Sequence, residues 1–170
     1  MTEQEALEFI ATQGKIVVRP FAWAVEVSGH TPQTSVFESG IQIGGEVLED
    51  VFLRARYRGP KRIDRGNASV ELPESFSCAL FVGRDRIAAI DTNAAQSHQN
   101  RVGVGRPYFG AQIDATTHRH IWIGQYGYVE PIEPPLLEVT ELLKFFAREC
   151  NLTFRGAIEH PEKGMQWTLL

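Results

Sequence analysis

Cysteine is scarce in this chain of 170 residues. Cys78 and Cys150 stand alone, far apart and outside any C-x-x-C pattern, which excludes a disulfide framework or a zinc ribbon and predicts two buried thiols in a reducing compartment. No apolar run approaches the roughly 18 residues that a membrane span needs. The opening MTEQEALEFI has three glutamates and no basic stretch, so it lacks the pattern of a secretory signal. The expectation is a cytoplasmic protein without a membrane segment. Also missing are internal repeats, low-complexity tracts, a G-K-[ST] phosphate loop, a nucleophile elbow, an H-E-x-x-H helix and an EF-hand loop.

What is present is an average globular composition, 43% apolar and 22% charged, which predicts one self-sufficient domain over 1–170. The net charge of −4 is unevenly spread. Residues 1–53 hold two basic and eight acidic groups, 54–119 hold eleven and six, and 120–170 hold four and seven. A basic middle between acidic ends either makes one positive face suited to a polyanion or is neutralised by the ends in the fold.

Thr2 and Glu5 form a capping-box pattern ahead of a short apolar stripe, which predicts a short N-terminal helix ending before Gly14. Period-two alternation marks strands at 21–27 and 47–57, and 29–45 reads as a loop with a brief strand at 41–43. The turn at Gly59-Pro60-Lys61 opens a polar stretch to Asn67. A hairpin is expected over 76–82 and 86–90 about Gly83-Arg84-Asp85, then a long polar loop over 91–110 and a strand over 118–123. After Pro131, Pro134 and Pro135, the stripe Leu136, Val139, Leu143 and Phe146 predicts a long helix of about four turns closing near Cys150. Short strands are expected around 152–159 and 165–169. No βαβαβ alternation is present. The fold expected is α+β: a mostly antiparallel, curved or barrel-like sheet, a short N-terminal helix, and one long helix from the C-terminal region packed on it.

Two constellations carry candidate chemistry. The first is Asp114-Ala-Thr-Thr-His118-Arg-His120. On a strand, His118 and His120 share a face about 6.5–7 Å apart at Cα, close enough to flank a phosphate, work as general acid and base, or hold one metal. Asp114, His118 and His120 are the candidate catalytic residues, with Asp91 and His98 able to approach from the preceding segment. The opposing reading makes them inert surface histidines on a face that also presents Trp122. A lone H-x-H is a weak metal pattern, so metal and cofactor identity are unknown at this point.

The second constellation is Arg54, Arg56, Arg58, Lys61, Arg62 and Arg65, six positive charges in twelve residues with Asp64 the one acid among them. Arg54, Arg56 and Arg58 share a strand face, and guanidinium forks suit phosphate contacts. Tyr57 would lie on the opposite face, which leaves that face without an evident stacking platform. The bland alternative is an edge strand protected by charge. Together the two constellations predict a nucleic-acid-directed protein, RNA or DNA, with a His-dependent nuclease as its catalytic form. The competing expectation is a non-catalytic accessory module whose basic face meets an acidic protein partner.

Overall fold

The computed structural model describes residues 1–26, 32–66, 68–92 and 97–163. Helix α1 (Glu3–Ala11) begins as the capping box requires, with Thr2 Oγ1 accepting from the Glu5 amide at 3.2 Å and Glu5 accepting from the Thr2 amide at 2.7 Å. Its C-terminus is closed by a lysine. The fully buried Lys15 donates to the carbonyls of Phe9, Ile10 and Thr12, placing a cation at the negative end of the helix dipole. Burial lowers its pKa from the ordinary lysine value.

The main sheet contains β1 (Lys15–Pro20), β2 (Ala24–Glu26), β3 (Thr34–Ile43), β4 (Glu46–Arg58), β7 (Ser75–Val82), β8 (Asp85–Thr92), β11 (Thr117–Ile121), β12 (Tyr128–Pro131) and β13 (Leu152–Arg155). Strands β5 (Lys61–Arg65) and β6 (Ala68–Leu72) form a separate two-stranded hairpin, and β9 (His98–Gln99) pairs with β10 (Gln112–Ile113). The main order is β12-β11-β8-β7-β4-β3-β1-β13, with β2 added beside β3. All of these pairings are antiparallel except β1 with β13.

The sheet is not closed into a barrel, which corrects that part of the sequence expectation: β12 and β13 stand at opposite ends. The chain reaches β13 only after crossing in helix α2 (Val139–Glu149), and the outer edge of β12 is occupied by a side chain. Asn100, fully buried, accepts from the Val129 amide at 2.7 Å and donates to the Val129 carbonyl at 2.8 Å. One carboxamide thus replaces a neighbouring strand and removes two open edge groups.

Helix α2 has eleven residues, about three turns rather than four. Glu138 is still extended (φ −85, ψ 127), so the apolar Leu136 belongs to the approach after Pro135 and not to the helix. Val139, Leu142, Leu143 and Phe146 are buried and pack in one core with Leu53, Ala55, Cys78, Leu80 and Ile90. Each such side chain stabilises the fold by about 1.5–3 kcal/mol relative to exposure. Both cysteines are free and buried; burial raises the Cys78 thiol well above its ordinary value and pushes Cys150 up to about 12.

Three segments differ from the alternation pattern. The stretch expected to be mostly loop contains β3, a ten-residue strand in the interior of the sheet between β4 and β1. Its Thr34, Ser35 and Ser39 are buried, and Ser39 Oγ accepts from the Arg19 amide at 2.9 Å, so polar residues occupy core positions that period-two reading scores as solvent. Of the strand expected at 21–27, β2 takes up Ala24–Glu26, and residue 27 lies outside the described residues. The polar stretch after Pro60 is the β5–β6 hairpin. The strand expected at 165–169 lies outside the described residues. Among them, no helix is long and apolar enough to cross a membrane.

Candidate functional site

In an antiparallel sheet, residues directly opposite one another present their side chains on the same face. Leu53 faces Leu80, and Ala55 faces Cys78, which faces Ile90; these define the face under α2. The alternate residues define the other face, which carries no helix among the described residues. One row across it reads Arg56, Ser77, Asp91, His118, and the next reads Arg54, Ala79, Ala89, His120. The basic strand and the histidine pair therefore share a face. Three strand spacings separate Arg56 from His118, about 14 Å.

The histidines are not surface residues: His118 is 5% and His120 6% exposed. Nor does Trp122 share their face. Strand β11 ends at Ile121, and the Trp122 indole turns to the helix side, donating to the Met1 carbonyl at 2.9 Å. The carboxylate beside the pair is Asp91, whose Oδ2 lies 2.8 Å from His120 Nε2. That approach lacks hydrogen-bond alignment, and His118 Nδ1 and both nitrogens of His120 have no hydrogen-bond partner among the described residues. Asp114 is exposed and accepts from Gln112 at 3.0 Å; it is not part of the cluster.

A bulge in the β7–β8 pairing sets Arg86 opposite Phe81 and skips Ile87, turning Arg86 toward the site as bulges commonly do. Arg86 donates to Asp91 Oδ1 at 2.9 Å and to the Tyr126 hydroxyl at 2.8 Å. The Tyr126 ring stacks on His120 with centroids 5.3 Å apart. Above the pair is His98, 5.7 Å from the His120 ring and 6.4 Å from that of His118. Its Nε2 is 3.0 Å from the Gly127 carbonyl; a carbonyl only accepts, so Nε2 carries the proton.

Burial lowers the pKa of His118, with His120 adding to the effect, and burial also lowers His120 against the opposing pull of Asp91. For Asp91, burial works to raise the pKa, but His120 and Arg86 outweigh it and hold the carboxyl below its ordinary value. At neutral pH the cluster is two free-base imidazoles beside one carboxylate. The donor atoms of Asp91, His118 and His120 all lie within 4.8 Å of one another.

Asp91 and Arg86 also line a groove of about 550 Å³ that runs to Arg54, Arg56, Arg58 and Ser77. The arginines are engaged locally: Arg54 pairs with Glu38 at 2.5 Å, Arg56 with Glu26 at 2.6 Å, and Arg58 donates to Thr34 at 3.4 Å. The two ion pairs are about half exposed and so hold weakly. Arg62 pairs with Asp64, and Lys61, Arg62 and Arg65 lie on the separate β5–β6 hairpin. Sequence reasoning missed an aromatic element. Phe52 and Phe81 stack at 4.7 Å on the arginine face, with the Arg54 guanidinium over both rings. The signal was available, since Phe52 alternates with Leu53 exactly as Arg54 does.

In the 91–110 segment, Arg106 pairs with Glu3 and lies over the Tyr128 ring. Gly103 there has φ +85, and a Cβ would meet that ring at 2.8 Å, so the position admits glycine alone. Compared with protein-family models, curated proteins and solved structures, the chain matches none.

Proposed function

We propose that this is a cytoplasmic protein directed at nucleic acid, with single-stranded RNA or DNA lying along the helix-free face and phosphodiester cleavage at the histidine cluster. The observation that carries the reading is the shared row from Arg56 through Ser77 and Asp91 to His118. Arg54, Arg56 and Arg58 supply phosphate contacts, and the Phe52–Phe81 stack offers a π-face for a base. We add Lys61, Arg62 and Arg65, on the β5–β6 hairpin, as further candidate phosphate contacts. His118 and His120 carry the chemistry, and we assign the carboxylate role to Asp91, which touches His120, in preference to Asp114.

The pairing of Arg54 with Glu38 and Arg56 with Glu26 favours the second reading, an accessory module whose partly neutralised face meets an acidic protein. A salt series with labelled single-stranded RNA and duplex DNA separates the two. The first reading expects affinity to fall steeply with salt, Arg54→Ala with Arg56→Ala to reduce the salt slope by about two, and His120→Ala to retain binding while losing cleavage. Absence of binding to both nucleic acids at low salt removes it.

A further inference from the structure

We propose that Asp91, His118 and His120 form a binding site for a divalent transition-metal ion. The argument begins with placement. His118 and His120 alternate on β11, and Asp91 lies directly opposite His118 on β8, so three donors project from two hydrogen-bonded strands in the interior of the sheet rather than from loops. Rigid elements of this kind hold ligands near a productive geometry before the ion arrives. Donors each about 2.0–2.2 Å from one ion are at most about 4.4 Å apart. The observed limit of 4.8 Å is reached from there by side-chain shifts of a few tenths of an ångström.

The second observation is the unmet demand of the buried nitrogens. His118 and His120 are more than nine-tenths buried, yet neither Nδ1 has a hydrogen-bond partner among the described residues, and His120 Nε2 has only the poorly aligned Asp91 Oδ2 at 2.8 Å. Buried polar atoms are almost always satisfied, and exceptions call for an explanation such as an ion. An isolated Asp91–His120 ion pair would leave both Nδ1 atoms unexplained, whereas one shared ion accounts for a nitrogen of each ring.

The surroundings match the outer layer of a metal centre. Arg86 fixes Asp91 through Oδ1 and leaves Oδ2 toward His120; Tyr126 fixes Arg86 and stacks on His120. Such supports orient ligands and contribute to affinity. Two imidazoles and one carboxylate suit zinc, iron, cobalt, nickel or manganese, and the nitrogen content disfavours magnesium and calcium, which prefer oxygen. His98 stands outside the donor set. The assignment does not depend on the nucleic-acid reading: a protein that ignores every oligonucleotide would still bind the ion.

The test uses the full chain, stripped with chelator and titrated with zinc, manganese and magnesium chlorides by calorimetry, with cobalt absorption as a coordination probe. The proposal expects one equivalent of zinc and little or no heat with magnesium. It also expects the melting temperature to rise by about 5 °C or more at about a hundredfold excess of zinc over Kd. Asp91→Asn and His118→Leu should each weaken zinc binding by about 100-fold or more, and His98→Asn by about 10-fold or less. Melting of each metal-free variant verifies folding, so Asp91→Asn decides if His118→Leu fails to fold. No zinc binding, unchanged affinity in Asp91→Asn, or a preference for magnesium would overturn the assignment.

Discussion

The two faces of the sheet are built from the same strands by opposite rules. Under α2, the residues Leu53, Ala55, Cys78, Leu80 and Ile90 meet Leu142 and Phe146 in one apolar core. On the other face, alternate positions of those strands carry arginines, a carboxylate and buried histidines with unsatisfied nitrogens. The first arrangement maximises burial. The second places charged and polar groups where burial alone would favour apolar ones, a departure from local consistency of the kind found at functional or strained sites.

Truncation on the helix side should be the most damaging change. Leu53→Ala, at a fully buried position, is expected to cost about 3–4 kcal/mol in urea unfolding; a cost under about 1 kcal/mol would mean that this face is not the principal core. Next is the sheet edge. Asn100→Ala strands the Val129 amide and carbonyl and should cost about 2–3 kcal/mol. Asn100→Asp should cost more, because a carboxylate cannot donate to the Val129 and Tyr108 carbonyls.

Titration separates the faces as well. Cys78 and Cys150 stay protonated in the folded chain while the unfolded thiols ionise from about pH 9. The unfolded state then binds fewer protons, so the stabilisation present below pH 9 is lost as pH rises toward the folded values, by about 1.4 kcal/mol per thiol at pH 10. Urea unfolding at pH 8, 9 and 10 should show this fall, reduced by one thiol's share in Cys150→Ala; a flat profile would mean that the thiols are not sequestered. The smallest effect is expected at the histidines. In metal-free protein, His118→Leu removes an unsatisfied buried nitrogen and should leave stability within about 1 kcal/mol of the parent, on the stabilising side. A loss of several kcal/mol would make His118 a core residue like Leu53.

The helix side was the more legible in the sequence, because it follows simple periodicities. The capping box, the alternation of β4, the β7–β8 hairpin and the stripe of α2 were all readable. Strand β3 was not, since Ser35 and Ser39 occupy buried positions through long-range pairing. For the site, the H-x-H spacing disclosed the histidines, and Asp91 and His98 could be named as neighbours. Selecting Asp91 over Asp114 required the β8–β11 register, and recruiting Arg86 required a bulge, neither of which local pattern encodes. The common face of Arg56 and His118 depends on three successive strand registers, each set by pairing between distant segments.

The most direct test of the division between faces is amide NMR of the labelled protein titrated with a short single-stranded RNA at low salt. The account predicts shifts concentrated at Phe52, Arg54, Arg56, Ser77, Phe81 and Arg86, reversed by added salt. Shifts confined to α1 and α2, or a spectrum that does not change, would contradict it.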